Sequence, residues 1–204
     1  MRYDSSPLIA RSGWYSVGLL AFATLVLWKT AGSVYAAPVA VVLALVAFKF
    51  RDPDRPTPRT RLGAVAPVDG QVLSVRTIDE GPLGAAALKL RLRVSPFTLY
   101  GVRAPIEGVV SDPTAVPGAD GETRGFCLRT DEGDLMLMTI EHWGFGRPRP
   151  KVKLGQRVGH GERCGSIRFG HTVEIHLPAG STPRVRPHDP VTAGVTVLAE
   201  LPRH

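Results

Sequence analysis

The chain has 204 residues, of which 44% are hydrophobic, and it carries a formal net charge of +7 with an isoelectric point near 9.9. This length suits one modest domain with additional segments. The positive charge fits a surface that faces anionic lipid, because the sequence has no recognition helix, aromatic stacking strip or long basic run typical of nucleic-acid binding. The two cysteines, Cys127 and Cys164, lack the pair spacing of a metal site. We therefore expect small, half-buried thiols in a reducing compartment, no metal and no nucleic-acid partner.

The first fifty residues are far more apolar than the rest of the chain. Two nearly unbroken apolar segments, residues 14–28 and 32–48, flank Lys29 and a few small residues. Each is somewhat shorter than the roughly 20 residues of a perpendicular membrane span. Extended by flanking residues, they predict a transmembrane helical hairpin, and a buried hairpin of a soluble protein is the alternative. No convincing cleavage site separates the two segments, which argues against a cleaved signal peptide.

A basic, proline-rich segment follows the second apolar run. Its prolines prevent a helix from continuing, and its positive charges include Arg51 and Arg55. Only Lys29 lies between the apolar segments, so the positive-inside rule places both termini in the cytoplasm, at the inner membrane. The expected organisation is a membrane anchor at 1–50, a connector at 51–63 and a cytoplasmic domain at 64–204.

Beyond the connector, the sequence changes to short apolar runs punctuated by glycine. Residues 88–94 alternate apolar and basic side chains, as expected for a strand with one face in water. Asp69-Gly70 indicates a turn into another strand, and residues 126–129 and 135–140 predict an antiparallel pair. No segment here has a convincing helical period. The expected fold class is therefore the transmembrane hairpin followed by a mainly β, barrel-sandwich-like domain.

The clearest motif is residues 161–171, which read GERCGSIRFGH. It resembles the line G-E-R-x-G-x-I-R-F-G-S of the short, membrane-anchored phosphatidylserine decarboxylases of archaea and bacteria. The connector, FKFRDPDRPTP from residue 48, is similar to the F-F-R-D-P-x-R-x-x-P of the same family. The resemblance implies the decarboxylase-family fold and a place in phospholipid metabolism. In that family the chain cuts itself between the last Gly and the Ser, which correspond to Gly170 and His171, and the Ser becomes an N-terminal pyruvoyl group.

The resemblance also implies a set of residues for self-cleavage. Decarboxylation of an amino acid needs an electron sink, which a pyruvoyl ketone supplies through a Schiff base. A serine hydroxyl attacks the preceding carbonyl, a histidine acts as the base, and a carboxylate orients that histidine. Asp69 matches the carboxylate of the family's P-x-D-G motif, and a turn-forming aspartate is an equal interpretation. Tyr100 stands at the position of the family's histidine, where a phenol with a pKa near 10 is a poor base.

Two other serines follow a glycine near the motif, namely Ser166 and Ser181. Cleavage at Ser181 would move the pyruvoyl group beyond the strand that should carry it and away from Asp69. We expect Ser166 to lie in a strand and Ser181 in a surface turn. His171 and His176 are five residues apart on a predicted strand, so they face opposite sides and do not chelate one metal ion.

Three functions remain open. The favoured one is a pseudoenzyme without a cofactor that binds anionic phospholipid or partners an active paralogue or a second copy of itself. The second is an active decarboxylase, converting phosphatidylserine to phosphatidylethanolamine with a pyruvoyl group made at an unorthodox serine. The third is a membrane-tethered adaptor without lipid chemistry. Guanidinium groups pair well with phosphate, so four arginines are candidates for contact with lipid headgroups: Arg51, Arg55, Arg103 and Arg168. For each of them, solubilising surface charge is the alternative interpretation.

Overall fold

The computed structural model divides the chain into two compact units, Met1–Asp54 and Arg55–His204. It describes residues 14–49, 55–56, 58, 60, 62–82, 84–95, 101–111, 124–133, 135–141, 149–167 and 171–202.

The first unit is a helical hairpin. Helix α1 spans Trp14–Ala31 and helix α2 spans Ser33–Lys49. Gly32 joins them with a φ of 89°, a backbone conformation that glycine adopts without steric cost. The carbonyl of Gly32 accepts a hydrogen bond of 3.3 Å from the N–H of Ala36, which starts the second helix directly after the turn.

The prediction of a transmembrane hairpin is wrong, although helices form close to the predicted positions. In the part of the chain that the structure describes, no helix is long and apolar enough to cross a membrane. Helix α1 has 18 residues and α2 has 17, which correspond to about 27 and 26 Å, whereas a bilayer core is roughly 30 Å thick. Lys29 shortens the apolar part of α1 further. Gly32 prevents either helix from extending into the other.

The second unit is built from strands, and no α-helix occurs among its described residues. The strands are β1 Gly63–Val65, β2 Gly70–Ile78, β3 Ala87–Val94, β4 Gly101–Arg103, β5 Gly108–Ser111, β6 Arg124–Arg129, β7 Leu135–Glu141, β8 Arg149–Pro150, β9 Arg157–Val158, β10 Arg163–Ser166, β11 Thr172–Pro178, β12 Thr182–Pro183, β13 Pro190–Val191 and β14 Val197–Glu200.

Eight strands form one antiparallel sheet in the order β13-β2-β3-β11-β7-β6-β5-β9. Two three-stranded sheets, β1-β14-β12 and β4-β10-β8, complete the unit. The prediction of a mainly β domain is thus confirmed, including the pair that became β6 and β7. Strand β2 contains a register shift between Val72 and Ser74, after which its pairing with β3 continues to Ile78.

Alternation of side chains along the central strands builds the core and sets their register. Leu90 of β3, Ile175 of β11 and Met138 of β7 are opposite one another, and each is fully buried. A side chain of this size stabilises the fold by about 1.5–3 kcal/mol when it leaves water. A slip of β11 by one residue would turn its apolar side chains out of the core, so this packing fixes where β11 begins.

Candidate functional site

The start of β2 and the start of β11 meet at one end of β3, and this end carries two of the predicted site residues. Asp69 precedes β2, and its carbonyl accepts a hydrogen bond of 3.1 Å from the N–H of Ser95. His171 precedes β11, and its carbonyl accepts one of 3.1 Å from the N–H of Val94. Asp69 and His171 therefore flank the end of β3, with their backbones two strand spacings apart, roughly 10 Å.

Gly70 allows the two strands to approach at this point. A Cβ atom added to Gly70 would lie 1.9 Å from the carbonyl oxygen of Arg93 on β3. Any other residue would push β2 away from β3 and displace Asp69. The glycine of the Asp-Gly pair is thus required by close packing, in addition to the turn that its sequence predicted.

The carboxylate of Asp69 is bound by the connector. Arg55 donates to both of its oxygens, from Nη1 to Oδ1 and from Nη2 to Oδ2 at 2.9 Å. The N–H of Ala193 donates to Oδ1 at 2.7 Å, and Arg55 Nη1 also donates to the carbonyl of Ala193 at 3.2 Å. The side chains of Arg55 and Asp69 are only 17% and 13% exposed. We call this group the Arg55–Asp69 clasp; it ties the connector, β2 and the segment after β13 together.

His171 lies deep in the β unit. It is 1% exposed and shares the core-facing side of β11 with Val173 and Ile175. Its Nδ1 is 3.2 Å from the carbonyl oxygen of Glu141, at the end of β7. The imidazole of His171 is therefore held between β11 and β7. His176 lies on the other face of β11 beside Glu174, as the spacing of the two histidines predicted.

Of the arginines predicted to contact headgroups, the two that the structure describes are engaged inside the β unit. Arg55 belongs to the clasp. Arg103, on β4, donates from Nη1 to the carbonyl of Gly161 at 3.0 Å. Its side chain passes so close to Gly194 that a Cβ there would lie 2.8 Å from Arg103 Cδ. The other predicted site residues lie outside the described residues: Arg51, Tyr100, Arg168 and Gly170.

The two alternative serines have the surroundings that the sequence predicted. Ser166 is in β10, where it pairs with Gly101 of β4 and Arg149 of β8. Ser181 lies in a turn, and its hydroxyl donates to the carbonyl of Pro178 at 2.8 Å. Ser181 precedes β12 rather than β11, so it lies beyond the strand that holds His171.

Sequence reasoning missed a charged network on the second face of the large sheet. Glu174 of β11 contacts Lys89 Nζ at 2.8 Å and Arg91 Nε at 2.7 Å, and Arg91 also pairs with Glu141 at 3.1 Å. Burial raises the pKa of Glu174, but contacts with His176 and Lys89 and the charge of Arg91 outweigh it and lower that pKa to about 2. The alternation had predicted a wet face here. Instead, Glu174 is 7% exposed and His176 is 3% exposed.

Both cysteines are buried, whereas the sequence predicted half-buried residues. Both Cys127 and Cys164 are free thiols, and burial raises the pKa of Cys164 to about 12. A thiol with so high a pKa stays protonated and is a poor nucleophile.

A cleft of about 650 Å³ opens beside the β6–β7 turn, lined among others by Glu107, Asp131, Arg157 and His160. Neither Asp69 nor His171 lines it. Arg157 pairs there with Glu107 and Asp131. Exposed ion pairs of this kind contribute little to stability.

Comparison with known proteins agrees with the motifs at this end of the sheet. A sequence profile described as phosphatidylserine decarboxylase matches residues 42–199. A phosphatidylserine decarboxylase proenzyme of Burkholderia cenocepacia is 30% identical over 96% of this chain and 97% of its own length. The same-named proteins of Paraburkholderia phymatum and Nitrosomonas eutropha are 31% and 33% identical, over 96% and 98% of this chain and 98% of their own lengths. The chain therefore belongs to the phosphatidylserine decarboxylase family.

Proposed function

We propose that this protein is a lipid-binding pseudoenzyme of the family, which does not cut itself and does not form a pyruvoyl group. One observation carries the proposal: the residue immediately before β11, where the sequence motif places the cleavage serine, is the buried His171. The family depends on a pyruvoyl group. The chemistry of residue 171 decides whether the chain can make one.

A histidine at this position does not fit that group. Self-cleavage needs a hydroxyl that attacks the carbonyl of residue 170, breaks the peptide bond after it and forms an ester. The ester eliminates the carboxylate of residue 170 and leaves a dehydroalanine, which water hydrolyses to the pyruvoyl ketone with loss of ammonia. An imidazole that attacked the same carbonyl would give an acyl-imidazole, whose Cβ carries no oxygen leaving group. The eliminating step is then impossible, and the expected electron sink is missing.

The surroundings of Asp69 support the same proposal. Both of its oxygens accept hydrogen bonds from Arg55, and one also accepts from Ala193. These contacts tie the carboxylate to Arg55 and Ala193, as expected of a group that stabilises the fold. Tyr100, which takes the place of the family's histidine in the motif, is too weak a base to replace it.

We further propose that the protein acts at the cytoplasmic face of the inner membrane. The helical hairpin exposes large apolar side chains, among them Tyr15 at 89% and Phe22 at 66%. Extended apolar surfaces of this kind mark sites that contact lipid or protein. An anionic phospholipid surface suits the net charge of +7. An active paralogue or a second copy of the chain are the protein partners that family membership suggests.

A decarboxylation assay tests the proposal. Purified full-length protein is incubated with vesicles that contain phosphatidylserine, and phosphatidylethanolamine is measured. The Burkholderia cenocepacia relative, treated identically, shows that the assay detects turnover. We expect no phosphatidylethanolamine above the protein-free rate, together with binding to the vesicles. Steady production of phosphatidylethanolamine would contradict the proposal and restore the active decarboxylase, processed at Ser166 or Ser181.

A further inference from the structure

One half of the second face of the large sheet carries four basic side chains. They are Arg76 of β2 and Lys89, Arg91 and Arg93 of β3, and we call them the basic face. The register puts them on one side of the sheet: Arg76 is opposite Lys89, and the other two are opposite Ser74 and Gln71. None of these four residues belongs to the arginines proposed above for headgroup contact.

Two of the four cations are fixed by carboxylates on neighbouring strands, one of which, Glu174, is buried. Lys89 and Arg91 both contact Glu174, whose side chain is 10% exposed, and Arg91 also pairs with Glu141. These contacts hold Lys89 and Arg91 against the sheet. The two carboxylates, Glu174 and Glu141, balance the positive charges of Lys89 and Arg91.

The other two cations, Arg76 and Arg93, are exposed side chains without an ion pair in the described part of the chain. Four positive side chains therefore face two negative ones, Glu141 and Glu174, which leaves an excess of two charges on this face. The acidic pair Asp79-Glu80 follows the end of β2 and bounds the basic face on one side.

The spacing of these charges favours an extended anionic surface over a single small ligand. Lys89, Arg91 and Arg93 follow one another at intervals of about 6.8 Å along β3, and Arg76 lies one strand, about 4.8 Å, to the side. The row is open and spans about 14 Å, so several phosphates contact it at once and none is enclosed. No aromatic side chain of β2 or β3 stands on this face to stack on a nucleic-acid base.

We propose that the basic face docks on the headgroups of anionic phospholipids, with Arg76 and Arg93 as the contacting residues. This inference rests on the proposed lipid-binding function and assigns it to a surface. Lys89 and Arg91 are balanced by Glu174 and Glu141, so the excess positive charge of the basic face comes from Arg76 and Arg93. Because the attraction is electrostatic and exposed, it is weakened by salt.

Flotation with vesicles tests this proposal on the full-length protein. The double variant Arg76→Gln/Arg93→Gln is compared with wild type on phosphatidylcholine vesicles and on vesicles containing 30% phosphatidylglycerol. The matched control is Arg184→Gln/Arg186→Gln, which removes two exposed charges elsewhere. We expect the double variant to bind the anionic vesicles roughly 25-fold more weakly, since each basic residue near such a surface contributes about fivefold. Binding to phosphatidylcholine and the behaviour of the control should not change.

The outcomes separate this inference from the function on which it rests. If wild type prefers anionic vesicles and the double variant keeps that preference, the basic face is not the docking surface, whereas lipid binding stands. If wild type binds both kinds of vesicle equally, the anionic partner itself is wrong and the inference falls with it. Loss of binding to a single-stranded RNA oligonucleotide in the double variant, without loss on vesicles, would assign the surface to nucleic acid instead.

Discussion

The Arg55–Asp69 clasp makes a quantitative prediction about stability. Asp69→Ala removes a carboxylate that accepts two hydrogen bonds from Arg55 and one from Ala193. The variant removes the carboxylate that pairs with a largely buried guanidinium, and it leaves the N–H of Ala193 without this acceptor. If Asp69 serves only a self-cleavage reaction that the protein has lost, the substitution should instead be nearly neutral.

The expected loss follows from the burial of the pair. Removing one partner of a buried ion pair costs about 3–5 kcal/mol, and the residual exposure of 17% and 13% places this pair near the lower end, at about 3 kcal/mol. For a unit of this size the melting temperature should fall by roughly 6–12 °C. A thiol-reactive dye reports the melting, because Cys127 and Cys164 are both buried in the β unit and become accessible when it unfolds.

Two comparisons make this test decisive. Arg184→Gln breaks the exposed pair with Glu200 and should leave the melting temperature unchanged within error. In a double-mutant cycle, Arg55→Gln and Asp69→Asn should be less destabilising together than the sum of their separate effects, by about 1–2 kcal/mol. A fall of less than 1 °C for Asp69→Ala, or strictly additive effects in the cycle, would refute the structural role of the clasp.

Three further predictions concern the rest of the β unit. The pKa of Glu174, about 2, lies below its ordinary 4.5, so its ion pairs stabilise the fold fully above about pH 4.5 and lose that effect as the pH falls towards 2. Urea unfolding of Glu174→Gln should therefore show lower stability than wild type at pH 7 and a smaller decline between pH 4.5 and 2; equal slopes would contradict the assignment. Iodoacetamide at pH 8 should label neither Cys127 nor Cys164 in the folded protein and should label both in urea. The number of labels is read from the intact mass, and labelling before unfolding would show that the thiols are not buried. Gly70→Ala should prevent folding of the β unit, because its Cβ would lie 1.9 Å from a carbonyl oxygen. In the control variant Gly84→Ala the new Cβ meets nothing within 4 Å, so it should cost only the strain of its positive φ, about 1–2 kcal/mol. Circular dichroism distinguishes the two variants, and a folded Gly70→Ala would be inconsistent with the close approach of β2 and β3.

Local patterns predicted most of the strands, because the side chains of a strand alternate between core and surface. The leucines of β3 show this, and so does the pair β6–β7 around Gly133, which has a φ of 92°. The N-terminal hairpin shows the limit of such patterns. Apolar composition predicted helices in the right places, but Lys29 and Gly32 leave each one too short for the span that composition suggested.

The sequence motifs singled out candidate residues and gave no information about their contacts. The motifs singled out Asp69 and His171, and the structure brings both to the end of β3. The contact of Asp69 with Arg55 crosses 14 positions of the sequence, and its contact with Ala193 crosses 124. Pairings this distant depend on the fold of the whole unit, so no local pattern signals them.

The burial of Glu174 was unpredictable for a related reason. Alternation along β11 assigns Glu174 correctly to the second face of the sheet. It does not show that Lys89 and Arg91, from a strand far away in the sequence, cover that carboxylate. The alternation of hydrophobic and charged residues predicts which way a side chain points, and only the neighbouring strands decide whether it meets water.

The proposal that the chain does not cut itself is tested most directly by the intact mass of the purified full-length protein, measured before and after treatment with borohydride or hydroxylamine. A chain that is not cut should give one species of about 21.9 kDa, and neither reagent should change its mass. Two fragments, the smaller of which begins at residue 166 or 181 and reacts with the carbonyl reagents, would contradict the pseudoenzyme and show that a pyruvoyl group forms.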